Sequence, residues 1–251
     1  MRLSLILVFL VCTVGQADFV TPNVPGVSYN SIPFGAGVTT SRYQQVHDAG
    51  QFSETIQIDS LSFSPQDTGG LVGTFEFRLG VTNVAVGALS TDLNSNITGP
   101  ISTVFAGSVA QPVSASGHDS FSVEFPFTTP FVYDPNAGNL LIEMTMWNGG
   151  YVGQTYMMSY TTETPYASRA WETGGEGVFA NGADNNALRI KLGSTAVPEP
   201  SSILMLGCIA GCIILRFLSM YISFTINPLI HHLGLLIPFI LSRLCLRRSS
   251  M

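Results

Sequence analysis

The chain has 251 residues, of which only 10% are charged and 46% are apolar, and its formal net charge is −6. The charge is uneven, because residues 18–196 carry 15 acidic and 5 basic side chains, a balance of −10. An acidic central region of this kind excludes nucleic acid as a partner, since phosphates are bound by lysine and arginine.

The N-terminal stretch has the layout of a secretory signal peptide. Arg2 supplies a short positive segment, and residues 3–14 form an apolar run that is shorter than a membrane span requires. Small residues precede the bond between Ala17 and Asp18. We therefore expect a signal peptide over residues 1–17, cleaved between Ala17 and Asp18.

The region after this cleavage site contains no cysteine before position 208. An exported domain without disulfides is stabilised by its core alone, and this region is long enough to build one. Residues 18–50 are rich in proline, glycine and serine. They predict an extended lead-in with a single strand around residues 43–46.

Residues 51–196 are dominated by strict alternation of apolar and polar side chains, as in FEFRL (75–79), LLIEMTMW (140–147) and ALRIKL (187–192). Alternation of this period is typical of half-buried strands, and turn-forming residues separate the runs at short intervals. The pattern predicts an all-β domain, an antiparallel β-sandwich or jelly roll.

Two local features refine this prediction. The apolar phase shifts between Ile58 and Leu61, and one additional residue in a bulge would restore the register. Pro126 and Pro130 would lie at an edge or a bulge if their runs are strands, because proline has no N–H for a sheet interior.

The central region shows no set of residues that predicts catalysis, and no cofactor is expected. The weak exception is calcium, because Asp92, Asn94 and Asn96 occupy the first, third and fifth positions of a calcium-type loop. Ile97 stands where such a loop has glycine, and ordinary turn chemistry explains the same residues.

An alternative function is binding or cleavage of carbohydrate on a jelly roll. It would use the two tryptophans, Trp147 and Trp171, for stacking, and a carboxylate among Glu76, Glu124 and Glu143, each expected on the outward face of a strand.

The C-terminal part changes character at VPEPSS (197–202). Its two prolines block both helix and sheet, so this hexapeptide is expected to be an exposed linker. Residues 203–215 are uncharged, and Arg216 follows as a membrane stop. We expect a transmembrane segment over 203–226, with the domain outside the cell and the basic end in the cytoplasm.

A Pro-Glu-Pro triplet followed by an apolar run and a basic residue, in a chain with an export signal, resembles the PEP-CTERM sorting signal of bacterial exported proteins. The resemblance covers residues 197–216 and the signal peptide. It implies that Pro198, Glu199 and Pro200 are recognised by exosortase, a membrane protease-transpeptidase. It also implies an association with exopolysaccharide and biofilm matrix.

Residues 217–251 depart from that family, whose tails end soon after a basic cluster. Three interpretations stay open. The remainder is a frameshifted or read-through translation, or residues 203–226 form one span and residues 227–251 a basic and apolar tail. The third, which ranks last because it would place the last arginines outside the cell, is a helical hairpin broken at Asn227 and Pro228. The expected function is that of an exported surface or matrix protein, held in the membrane before processing and without evident catalytic activity. Its expected partners are the sorting protease, membrane lipid and extracellular polysaccharide.

Overall fold

The computed structural model describes most of the central region and a short part of the C-terminal tail. The described residues are 16–24, 28–34, 40–114, 120–152, 158–161, 163–174, 177–197, 207 and 211–220. The chain divides into two compact units, Met1–Val197 and Pro198–Met251.

The described part of the first unit is built from thirteen strands and three short 3-10 turns. The strands are β1 (Gln16–Thr21), β2 (Ser28–Asn30), β3 (Thr40–His47), β4 (Ile56–Phe63), β5 (Gly69–Thr82), β6 (Ile101–Val113), β7 (Val123–Tyr133), β8 (Asn139–Val152), β9 (Met158–Thr161), β10 (Ala167–Thr173), β11 (Gly182–Asp184), β12 (Ala187–Leu188) and β13 (Ile190–Ala196). The 3-10 turns are Ala49–Gln51, Leu93–Asn96 and Pro135–Ala137.

Two larger antiparallel sheets face each other. One has the strand order β1-β13-β4-β7 and the other β11-β10-β3-β8-β5-β6, while the short strands β12, β9 and β2 form a small third sheet. The predicted all-β class is confirmed, in a sandwich-like arrangement of antiparallel sheets.

Phenylalanine side chains fill the space between the two larger sheets. Phe125 of β7 lies 4.5 Å from Phe77 and 5.4 Å from Phe75, both of β5, measured between ring centroids. All three rings are fully buried. Each contributes about 2 kcal/mol through burial, and their tilted and edge-to-face contacts are the geometry that aromatic rings prefer.

The predicted alternation and bulge are both confirmed. In β8 the inward residues Leu140, Ile142, Met144 and Met146 are buried in the core. In β4 the pairing with β13 moves from Ser60 directly to Ile58, so one residue of β4 is bulged. The bulge keeps Ile58 and Leu61 on the inward face, and both are fully buried.

The prolines at 126 and 130 also lie where they were expected. Both belong to β7, which is the last strand of the four-stranded sheet. The pairing of β4 with β7 is irregular between Pro126 and Phe131. An edge strand tolerates proline because one side of its ladder is open.

The extended lead-in expected over residues 18–50 requires a correction. This span instead supplies β2, β3 and most of β1, and β3 lies inside the six-stranded sheet between β10 and β8. The strand predicted around residues 43–46 is confirmed as part of β3. Alternation does not reveal the full extent of β3, because its sequence TSRYQQVH carries polar side chains on both faces, and most of them are nevertheless buried.

The second unit is described only in part. Residues 211–220 are helical, and apolar side chains along this helix, such as Leu215 at 67% and Phe217 at 60%, are exposed. No helix among the described residues combines the length and apolarity needed to cross a membrane. Most of the predicted span 203–226 lies outside the described residues.

Candidate functional site

The outward face of the six-stranded sheet holds a buried ionic cluster around Glu143 of β8. This carboxylate is fully buried. Its Oε2 accepts hydrogen bonds from Arg42 Nε at 2.8 Å and Arg42 Nη2 at 2.5 Å, and from Gln44 Nε2 at 2.6 Å. Its Oε1 accepts from Nε of Arg78 at 2.7 Å and also from Nη2 of the same guanidinium. Both oxygens are therefore saturated by charge-assisted hydrogen bonds.

The strand register brings these residues together. Gln44 on β3 lies opposite Glu143, and Arg78 on β5 lies opposite it on the other side. Arg42 is two residues before Gln44 on the same face of β3, since side chains alternate along a strand. Three neighbouring strands thus present one carboxylate between two guanidinium groups.

The connection between β5 and β6, residues 83–100, covers this cluster. Leu93 of this connection is fully buried, and its carbonyl accepts a hydrogen bond from Gln44 Nε2 at 2.8 Å. The buried Asn96 donates to Gln44 Oε1 at 2.8 Å and to the Ser90 carbonyl at 2.9 Å. The connection is therefore fixed to the sheet by hydrogen bonds to side chains of β3.

A second segment, between β10 and β11, closes the same side. Arg42 Nη1 donates to the Gly177 carbonyl and to Asn94 Oδ1, both at 2.8 Å. The Leu93 amide donates to the Val178 carbonyl at 3.1 Å, which joins the two covering segments directly. Arg42 consequently connects the sheet with both segments.

The ionic cluster around Glu143 stabilises the fold. A carboxylate that is fully buried and saturated on both oxygens is not available to a substrate as a nucleophile, acid or base. Removing one partner of such a cluster would leave buried charge uncompensated, which is strongly destabilising. The cluster's role is to hold the covering segments on the sheet and to fix the orientation of Arg78, whose side chain stays 29% exposed.

The calcium candidates do not converge on one point in the described structure. Asp92 caps the Leu93–Asn96 turn and accepts from the Asn94 amide and the Ser95 hydroxyl. That hydroxyl is the main reason why the pKa of Asp92 is lowered. Asn94 Oδ1 is turned to Arg42 and Asn96 Oδ1 to the Ser90 amide. No group of three or more His, Cys, Asp or Glu side chains placed to hold a metal occurs among the described residues.

The carbohydrate candidates are divided between different environments. Trp147 is 46% exposed on the outward face of β8, and Glu76 lies on the same face of the sheet, on β5. Glu143 is buried beneath the covering segments, and Glu124 is exposed on β7 of the opposite sheet. The five candidates therefore do not form one groove.

Trp171 is a packing residue. It contacts the core, and the Arg169 guanidinium lies 4.7 Å from its ring centroid. Arg169 also binds Asp184 with two hydrogen bonds, of 2.9 and 3.1 Å. Burial raises the pKa of Asp184, but the hydrogen bonds and charge of Arg169, with those from Asn186, lower it overall.

A series of hydrogen bonds between polar side chains inside the core includes a histidine that sequence reasoning did not single out. His47 is fully buried, and Gln45 Nε2 lies 2.8 Å from its Nε2 while Thr21 Oγ1 lies 3.0 Å from its Nδ1. Thr21 donates onward to Gln51 Oε1 at 3.0 Å. The Gln45 amide donates to the ring, so the proton is on Nδ1 and the ring is neutral. Burial lowers the pKa of His47 to about 3.

The predicted processing residues lie at the limits of the described structure. Ala17 and Asp18 are in β1, opposite Ser194 and Gly193 of β13. Arg216 lies in the helical stretch 211–220. The predicted sorting residues Pro198, Glu199 and Pro200 are outside the described residues.

The residues that sequence reasoning missed are Arg42, Gln44 and Arg78. One signal for them was present in the length of the β5–β6 connection, because a connection of this length within a compact domain tends to fold over a neighbouring surface. Comparisons with family models, with curated proteins and with solved structures gave no match.

Proposed function

We propose that the chain is an exported, membrane-tethered bacterial surface or matrix protein that is sorted through its Pro-Glu-Pro segment and has no catalytic role. The β-strand part of the first compact unit, called the β unit below, is the exported part. The signal peptide ends at Ala17, and the C-terminal apolar segment holds the protein in the membrane before processing. An exosortase-like protease is the partner, and the destination is the cell surface with its exopolysaccharide.

The observation that supports this proposal is where the chain enters and leaves the β unit. β1 and β13 are antiparallel neighbours, and Asp18 lies opposite Gly193, close to the end of β13 at Ala196. The residue that follows the predicted signal peptide and the residue that precedes the sorting segment are consequently at the same end of one sheet. Two apolar segments that must reach the same membrane are expected to leave a domain in this way.

The boundary between the two compact units is a second support. The first unit ends at Val197, whose amide makes a hydrogen bond to the Thr55 carbonyl, and the second begins at Pro198. The triplet Pro198, Glu199 and Pro200 thus starts immediately outside the β unit, where a membrane protease would have to find an extended peptide.

The test is expression of the full chain in a bacterial host with and without an exosortase, followed by mass spectrometry of both ends. We expect an N-terminus at Asp18 in both hosts, and loss of the apolar C-terminal segment only where the exosortase is present. Changing Pro198, Glu199 and Pro200 to alanine should abolish the C-terminal cut and leave the N-terminal cut unaffected.

The matched control is the double variant Ser201→Ala and Ser202→Ala, which changes the same linker outside the triplet and should be processed normally. An intact C-terminus in both hosts contradicts the sorting proposal. Recovery of the chain from the cytosol, uncut at both ends, contradicts export itself.

A further inference from the structure

The outward face of β5, β6 and β8 is open beyond the covering connection, and one large aromatic side chain stands on it. Trp147 is 46% exposed there, and Val72 on the same face of β5 is 44% exposed. Thr74 lies opposite Trp147, and Ser108 of β6 lies opposite Thr74. The two hydroxyls of Thr74 and Ser108 are 3.0 Å apart.

The part of this face on β6 carries small side chains. The outward residues of β6 next to Ser108 are Ala106 and Ala110, both exposed and both small. From Trp147 on β8 across β5 to β6 the face spans two strand spacings, roughly 10 Å. An indole therefore stands at one side of a shallow shelf lined by hydroxyl groups and small side chains.

Two charged groups border the shelf on the side of the covering connection. Glu76 Oε1 lies 3.6 Å from Arg78 Nε and accepts a hydrogen bond from the Thr103 hydroxyl. Both side chains keep more than a quarter of their surface exposed. The buried Glu143, opposite Arg78 on the neighbouring strand β8, holds its guanidinium in place, so the shelf has one fixed donor group and one acceptor group.

We propose that this face binds an uncharged polysaccharide, with the apolar side of a sugar ring against Trp147 and ring hydroxyls on Glu76 and Arg78. An indole offers a large apolar surface at low cost in side-chain entropy, and a carboxylate with a guanidinium supplies the hydrogen bonds that hydroxyl groups need. Hydroxyl-rich ligands with one apolar face match both properties.

Charge selects against the competing occupants. The pair of Glu76 and Arg78 leaves no surplus of positive charge on the shelf, and residues 18–196 carry a balance of −10. A polyanion, whether nucleic acid, an acidic polysaccharide or an anionic lipid surface, would be repelled. The inference uses only the β unit and does not depend on export or sorting.

The experiment measures retardation of the full chain, kept in neutral detergent, during native electrophoresis through gels that contain dextran, mannan, laminarin, xyloglucan or the anionic alginate. We expect retardation by at least one uncharged polymer and none by alginate. Trp147→Ala should weaken that binding at least tenfold, and Glu76→Gln should weaken it several-fold.

The matched control is Tyr166→Ala, which removes another exposed aromatic side chain, 40% exposed and outside the shelf, and should bind like the wild type. Trp147 is on the surface, so its variant should keep the wild-type unfolding midpoint, and that midpoint is measured alongside. The inference is overturned if no uncharged polymer retards the chain, if alginate alone does, or if Trp147→Ala binds as well as Tyr166→Ala. A concentration-dependent dimer that Trp147→Ala abolishes would also overturn it, since a second copy would then be the occupant.

Discussion

Several polar side chains of the β unit are buried, and their hydrogen bonds hold its parts together. Glu143 is the clearest case, because three strands and two covering segments are joined through the groups that bind it. The contribution of Glu143 to stability depends on its negative charge, which lies between the guanidinium groups of Arg42 and Arg78. A neutral residue of the same shape should therefore not replace it.

Glu143→Gln should lower the free energy of unfolding by about 3 kcal/mol, because it removes the charge that compensates two guanidinium groups. Urea unfolding of the full chain in neutral detergent, followed by tryptophan fluorescence, measures the change. Glu124→Gln is the control, since Glu124 is exposed on β7 and its loss should cost less than about 0.5 kcal/mol. Equal unfolding midpoints for the two variants would refute the role given to Glu143.

His47 makes the stability depend on pH in a defined direction. Its pKa is lowered to about 3 by burial in the folded chain, whereas an unfolded chain titrates near the ordinary value of about 6.5. Between these values the unfolded state binds one more proton than the folded state. The free energy of unfolding should therefore fall as the pH is lowered through this range, by about 1.4 kcal/mol per pH unit from this one group.

The comparison that isolates His47 is the variant His47→Gln, which cannot titrate and can still exchange hydrogen bonds with uncharged Thr21 and Gln45. Unfolding midpoints measured from pH 7 to pH 4 should fall more steeply for the wild type than for this variant. Parallel curves for the two proteins would show that His47 does not contribute.

At the scale of elements, alternation identified those strands whose two faces differ in polarity. It placed the inward residues of β8 correctly, and it located the bulge in β4 from the phase shift between Ile58 and Leu61. Those strands are apolar only on the face that packs on the opposite sheet. An alternation of period two therefore shows which of their residues face the core.

The same rule could not give the full extent of β3, of which only residues around 43–46 were predicted, and it could not find the cluster around Glu143. In β3 the outward Arg42 and Gln44 are buried by segments distant in sequence, and the inward Gln45 and His47 are satisfied by hydrogen bonds inside the core. Burial of such residues is decided by tertiary partners, and these do not appear in a local pattern. Glu143 was correctly predicted on an outward face, but its burial depends on the cover supplied by residues 83–100.

The role of the bulge in the register of β4 can be tested by deleting single residues of this strand. Deleting Asp59 places Ser60 directly after Ile58, which leaves Ile58 and Leu61 on the inward face of a regular strand. The free energy of unfolding should change by no more than about 1 kcal/mol. Deleting Ser62, the control, turns either Leu61 or Phe63 away from the core and should cost about 3 kcal/mol or more.

Urea unfolding of both deletion variants provides the comparison. If deletion of Asp59 is as destabilising as deletion of Ser62, the bulged residue is needed for more than the register of β4.

At the scale of the whole molecule, the core that the structure describes lies within one continuous stretch of the chain. The facing sheets, the phenylalanine cluster and the ionic cluster all lie within residues 16–197, and no cysteine occurs between positions 12 and 208. Its stability therefore rests on packing and hydrogen bonding, because residues 16–197 contain no cysteine that could form a disulfide.

A specific protease site inserted between Val197 and Pro198 should for this reason be cut without loss of stability. The Val197 amide donates a hydrogen bond to the Thr55 carbonyl, and the insertion lies beyond this contact. We expect the unfolding free energies before and after cleavage to agree within about 0.5 kcal/mol, measured in the same detergent.

The matched control carries the same site between Asn83 and Val84, at the start of the covering connection. Cleavage there frees one end of the segment that holds Leu93 and Asn96 on the sheet, and it should cost about 2 kcal/mol through the hydrogen bonds and apolar burial that are loosened. Loss of the cooperative transition after the cut at Val197 would show that the β unit requires the C-terminal segment, and sorting would then release a protein that cannot remain folded.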